Sequence, residues 1–126
     1  MAYVQGFLAP VKTARKEEYR QIAEKSWELF AEYGALSSCE AWGDDVPDGE
    51  VTSFPMAVKK EEDETVVLSW IIWPDKSTAD ACMSKMQDDP RWEAAMPNAD
   101  EVFSMKRMIF GGFEPMLEKH AVTATV

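Results

Sequence analysis

Glu40 and Asp44 lie close together in the chain, and either carboxylate is able to take a proton from a bound molecule. Arg107 carries complementary chemistry, because a guanidinium can hold a carboxylate or an enolate through two parallel hydrogen bonds. Its alternative role is an ion pair with Glu40 or with the acidic stretch around Asp44. Trp42, Trp70 and Trp73 can line an aromatic pocket between helices and a sheet, or serve simply as core. Each indole N–H needs an acceptor, a requirement that would bring Glu40 or Ser69 near them. The catalytic candidates are therefore Glu40, Asp44 and Arg107, and the ligand-binding candidates Trp42, Trp70 and Arg107.

Other chemistries fit the residues less well. Asp44, Asp45 and Asp48 suggest a cation loop, but counting from Asp44 puts Val46 at the third position and Pro55 at the twelfth, where a calcium loop needs oxygen ligands. A structural turn is the better reading, since Asp44 to Gly49 combines backbone-bonding carboxylates, Pro47 and a glycine free to take positive φ. His120 is the sole histidine and sits near the end of the chain, so neither a nucleophile–histidine pair nor a haem ligand is expected. Cys39 and Cys82 have no cationic neighbour beside them in sequence and read as inert thiols. Neither a metal nor a cofactor is expected, and no glycine-rich phosphate loop occurs.

The net charge of −10 repels phosphate backbones and anionic lipid, and no cluster of Lys or Arg offsets it locally, so nucleic acid is disfavoured as a partner. At 46% hydrophobic and 29% charged, the 126 residues have the balance of one folded domain. Met1 to Lys12 lacks a basic leader segment and is interrupted by Gln5, Gly6 and Pro10. No run is long enough to span a bilayer, and the expected location is cytoplasmic.

These candidates must be positioned by a small set of elements. Tyr3 to Val11 reads as a strand, after which Thr13 can cap a helix. Tyr19, Ile22, Ala23, Trp27, Phe30 and Tyr33 recur at helical spacing, with Gly34 as the stop. Ala35 to Gly43 is a weaker strand suited to an edge, and Phe54 to Lys59 an extended segment leading to a solvated acidic turn, Glu61 to Glu64. Thr65 to Trp73 is the strongest strand, apolar at both parities. Ser77 and Asp80 resemble a capping box for a helix carrying Ala79, Cys82, Met83 and Met86. A short turn with Trp92 and Met96 follows, then a connection over Pro97 to Ser104. Lys106 to Leu117 is the fourth strand, where Gly111-Gly112 suggests a bulge or a close backbone approach.

Strand, helix, strand, strand, helix, strand is the ferredoxin-like β-α-β-β-α-β order. This α+β class has strands one and three central in an antiparallel sheet, with helices on one face. Residues 1–117 form that unit and 118–126 a flexible tail. Strands three and four are apolar at both parities, so something must cover the sheet's other face. A two-fold homodimer joined sheet to sheet is the expected solution.

Tyr3-Val4-Gln5-Gly6-Phe7, Trp42-Gly43-Asp44-Asp45-Val46-Pro47-Asp48-Gly49 and Lys106-Arg107-Met108-Ile109-Phe110-Gly111-Gly112-Phe113 together resemble the YbaA-like bacterial family of unknown function. The resemblance runs from the first strand to the fourth. It implies a ferredoxin-like protomer in a dimeric α/β barrel and no established activity. Some relatives bear labels linking them to signal-recognition-particle RNA, for which an acidic chain offers no physical ground. The expectation for function is a small organic molecule bound or turned over between helices and sheet. In that reading Asp44 or Glu40 accepts a proton beside Arg107, and Trp42 and Trp70 shape the pocket. The alternative is a non-catalytic dimeric module that binds a regulator or another protein.

Overall fold

The computed structural model describes residues 2–121. Strand β1 (Tyr3–Lys12) leads through a 3-10 turn into helix α1 (Lys16–Glu32). Edge strand β2 (Ser37–Trp42), helix α2 (Phe54–Ala57) and strand β3 (Glu64–Trp73) follow. Helices α3 (Lys76–Lys85), α4 (Arg91–Ala95) and α5 (Ala99–Val102) then precede strand β4 (Ile109–Phe113). The sheet order is β2-β3-β1-β4 with every pair antiparallel, so β1 and β3 are central, as the ferredoxin-like plan requires. Residues 122–126, the greater part of the expected flexible tail, lie outside the described residues.

The pleat sorts each strand into two faces. Toward the helices β3 presents Val67, Ser69, Ile71 and Trp73, all buried, and β1 presents Ala9 and Val11. Helix α1 packs Ile22 and Leu29 onto this layer because its apolar positions recur at three and four residues. Trp73 is wholly buried, and its Nε1–H donates to Gln5 Oε1 at 2.7 Å, which meets the indole's need without Glu40 or Ser69. On the opposite face Leu68, Trp70, Ile109 and Phe113 remain 40%, 36%, 44% and 60% exposed.

Several local expectations are corrected, each by a specific competing bond. Thr13 does not cap α1: its hydroxyl hydrogen-bonds the Thr65 hydroxyl at 2.7 Å, and the helix starts at Lys16 after the 3-10 turn. The segment expected to be extended from Phe54 contains α2, because Ser53 Oγ accepts the Met56 N–H at 3.1 Å and Pro55 suits a first helical turn. Asp75, not Ser77, caps α3, accepting from the Thr78 N–H at 2.8 Å and from the hydroxyls of Ser77 and Thr78. The connection after Pro97 holds α5. Strand β4 is shorter than expected, since the residues before it turn where Ser104 Oγ accepts the Arg107 N–H at 3.2 Å. Gly112 marks a close approach: a Cβ there would collide with the Tyr3 phenol.

Candidate functional site

A cleft of about 170 Å³ opens between α1 and the helix-facing side of the sheet. Its buried floor includes Ala9, Ile71, Phe103 and Ser69, while Ser38, Glu40 and Met105 stand exposed at its mouth. Four methionines, Met86, Met96, Met105 and Met108, contribute flexible, polarisable wall. Apolar lining with few polar groups is the usual make-up of a small-molecule site.

Glu40 is the one carboxylate among the cleft-lining residues. Edge strand β2 puts it on the helix-facing side, paired across from Ser69 of β3, and the Tyr19 hydroxyl of α1 donates to its Oε1 at 2.6 Å. Crowding by the cleft walls pushes its pKa above the ordinary 4.5, and hydrogen bonding from Tyr19 and Ser69 only partly counters this. The Tyr19 phenol is itself driven far up from 10, first by burial and then by the neighbouring Glu40 charge. It therefore stays protonated and acts as a fixed donor, held edge-on against the Phe103 ring at 5.4 Å.

A second groove shares Tyr19, Trp27, Ser38 and Glu40 with the cleft and extends it outward past Trp42 and Lys16. The Lys16 ammonium lies 5.1 Å from the centre of the Trp42 ring, in cation–π range. Glu40 thus stands where the apolar chamber meets a groove edged by the charged residues Lys16, Glu17, Arg20 and Glu24, and Trp42 shapes the outer part.

The remaining sequence candidates lie elsewhere. Asp44 is exposed in the loop after β2 and lines neither space. Trp70 is on the opposite face of the sheet, paired with Gly6 and Cys39, because its parity matches Leu68 rather than Ile71. The pocket expected to combine Trp42 with Trp70 is corrected on that ground. Arg107 reaches neither Glu40 nor the acidic loop. Its Nη1 and Nη2 form a two-pronged pair with Glu64 at 2.8 and 2.6 Å, and Nη1 also donates to the carbonyls of Lys59 and Val58 at 2.8 and 3.3 Å. That pair pins the loop before β3 to the turn before β4. Glu61, Asp63 and Glu64 bring carboxylate oxygens within 4.8 Å of one another, but Lys12 engages Asp63 and Arg107 engages Glu64. Burial raises the Cys82 thiol to about 11, which makes it a poor nucleophile at neutral pH.

Tyr19, Ser26, Ser69 and Trp92 belong to the cleft but were not among the sequence candidates for the site. The Ser26 signal was present: it falls on the same helical stripe as Ile22, Ala23 and Phe30, where a hydroxyl is out of place. Among the described residues, Ser26 Oγ and Trp92 Nε1 are buried side-chain atoms without a hydrogen-bond partner.

The sheet order and its one-sided helical cover define a ferredoxin-like α+β protein with a cleft under its first helix. The chain belongs to the family of proteins of unknown function DUF1428, whose pattern it matches over residues 2–105. The uncharacterised protein YbaA of Escherichia coli (strain K12) is 48% identical over 122 residues, spanning 94% of this chain and 100% of the relative. Among solved structures, the chain is similar to SnoaB, a cofactor-independent oxygenase from Streptomyces nogalater. That likeness has a TM-score of 0.58 at 11% identity and covers 97% of both chains. A dimeric ferredoxin-like protein from an uncultured marine organism gives a TM-score of 0.61 at 9% identity, over 94% of this chain and 100% of that one. At such identities the structural likeness shows the fold alone. Among the described residues, no helix is long and apolar enough to cross a membrane.

Proposed function

We propose that the chain binds and turns over a compact, largely apolar organic molecule in the cleft beneath α1, with Glu40 as proton acceptor. The observation that carries this reading is a single carboxylate, held by Tyr19 with its pKa raised, in a wall that is mostly apolar. The ionised Glu40 takes a proton from a weakly acidic C–H beside a carbonyl. The C–H electron pair moves onto the carbonyl oxygen as an enolate, and protonated Glu40 then returns the proton to carbon or oxygen. The oxygenase named among the structural neighbours supports a small-molecule site on this scaffold. Arg107 and Trp70, outside the cleft, have no part in this reading.

Ser38 is an exposed position at the cleft mouth on edge strand β2, so Ser38→Trp should obstruct the cleft without unfolding the sheet. In a thermal-shift screen of compact ketones, hits should raise the melting temperature of the wild type and fail to raise that of Ser38→Trp, because only occupied native protein is stabilised. Hits that stabilise both proteins equally contradict the proposal.

The open face of the sheet favours a homodimer. Leu68, Trp70, Ile109 and Phe113 are exposed together, and burying what each still exposes contributes roughly half of the 1.5–3 kcal/mol of a fully buried side chain. A second copy presenting the same face is complementary by symmetry. Sedimentation at micromolar concentration should give a dimer for the wild type and a monomer for Trp70→Glu. A wild-type monomer at that concentration removes this part of the proposal.

A further inference from the structure

We propose that the ligand is an apolar carboxylic acid, with its body in the cleft and its carboxylate in the adjoining groove on the Lys16 ammonium. This rests on the cleft reading above and adds the ligand's charge and chemical class to it.

The two spaces meet along Tyr19, Ala23, Trp27, Ser38 and Glu40, which line both, so one molecule can occupy them together. The groove measures about 360 Å³ beside the cleft's 170 Å³ and differs from it in lining. Its charged residues are Lys16, Glu17, Arg20, Glu24 and Glu40. Four of these are already engaged. Arg20 pairs with Glu17 at 2.6 Å and with Glu24 at 3.2 Å, and Glu40 accepts from the Tyr19 hydroxyl at 2.6 Å. Lys16 is the exception: among the described residues it forms no ion pair and its ammonium donates no hydrogen bond, standing instead 5.1 Å over the centre of the Trp42 ring. A cation–π contact is held by the charge distribution of the ring and takes up no acceptor, so the ammonium keeps N–H donors to offer a ligand. Trp42, itself in the groove wall, thereby positions the charge that is still to be paired. That charge selects an anion. A carboxylate on Lys16 gains a charge-assisted hydrogen bond, while a ligand cation would meet only carboxylates that already have donors. The groove lining holds two cations and three carboxylates, so its net field does not draw anions in, and the discrimination comes from contact with Lys16. The mostly apolar cleft takes the body, and Glu40, which lines both spaces, faces the stretch of ligand between body and head.

The test titrates 2-naphthylacetate, 2-naphthylacetamide and 2-(2-naphthyl)ethylamine into the protein by calorimetry at pH 7, so that one apolar body carries a negative, a neutral and a positive head. Wild-type protein should bind the acetate about fivefold more tightly than the amide, the scale of a partly exposed ion pair, and the amine no better than the amide. Lys16→Met keeps an apolar stem beside Trp42 and removes the charge. It should cut the preference to about twofold or less, with the amide's affinity and the melting temperature kept. Lys16→Arg should keep most of the preference, and Ser38→Trp should weaken all three probes. Equal affinity of the wild type for acetate and amide, tighter binding of the amine, or a preference that survives Lys16→Met overturns the inference. So does acetate binding that Ser38→Trp leaves unchanged, or a failure of all three probes to bind. The cleft itself is tested separately with 2-tetralone, a compact neutral ketone. If 2-tetralone stabilises the wild type and not Ser38→Trp while the acetate shows no preference, the cleft reading stands and this inference falls. If it stabilises both proteins equally, the cleft reading fails and this inference fails with it.

Discussion

Glu40→Gln is expected to slow proton abstraction by about a hundredfold or more while the protein stays folded. The readout is deuterium uptake at the acidic carbon of 2-tetralone in D2O, followed by NMR in the presence of protein. Glutamine keeps the side chain's shape and can still accept from the Tyr19 hydroxyl, so the loss reports the missing base rather than a rearranged cleft. Glu40 is solvent-accessible at the mouth, which limits what its charge costs the fold, and the melting temperature at pH 7 should move by no more than about 3 °C. The sign of any shift is fixed. The folded protein holds the Glu40 proton more tightly than the unfolded chain, so Glu40 favours folding most below about pH 4.5, and this contribution is lost as pH rises through the raised value. The Gln variant should therefore gain relative stability above pH 4.5, with the gap levelling off beyond the raised pKa. Deuterium uptake that is unchanged in Glu40→Gln removes Glu40 as the base.

Arg107→Met should have the largest effect on stability. The Glu64 side chain is 1% exposed and depends on the guanidinium for both of its oxygens, with one more bond from the Glu61 N–H at 2.8 Å. Removing Arg107 leaves a buried charge without its partner and two carbonyls without a donor, at a cost of about 3 kcal/mol. The melting temperature should fall by on the order of 10 °C. The Arg107 hydrogen bonds hold Glu64 below the usual carboxylate range. That depression stabilises the fold above pH 4.5 and is lost as pH falls through the lowered value. Urea titrations should show the wild-type advantage in full at pH 7 and narrowed at acid pH. Arg107→Lys should fall between the two, since an ammonium keeps the charge but lacks the two-pronged fit. A variant as stable as the wild type at pH 7 contradicts this account of the pair.

The sheet was legible in the sequence because its signals are strong and local. Thr65 to Trp73 carries apolar residues at both parities, and that pattern belongs to a central strand with one face under helices and the other still apolar. Helix α1 was equally clear from its stripe. What was not legible depended on register or on partners far away in the chain. Trp42 and Trp70 fall on opposite faces because Trp42 pairs with Val67 and Cys39 with Trp70, a register that composition does not reveal. The sequence places Glu64 at the end of a solvated acidic turn. It continues β3 opposite Lys12 and is buried because Arg107, distant in sequence, reaches it. Helix α2 has only four residues, too few for a periodic pattern, and is set by the Ser53 cap. Glu40 was recognised as a candidate from its chemistry. Tyr19, which positions it, was hidden in an ordinary apolar stripe.

The carboxyl-carbon NMR titration of Glu40 tests the central claim most directly, because the proposed role requires a carboxylate that is crowded by the cleft and ionised at neutral pH. The account predicts a midpoint above 4.5 that rises further when 2-tetralone fills the cleft and displaces solvent from the carboxylate. A midpoint at or below 4.5 that does not respond to the probe would contradict it.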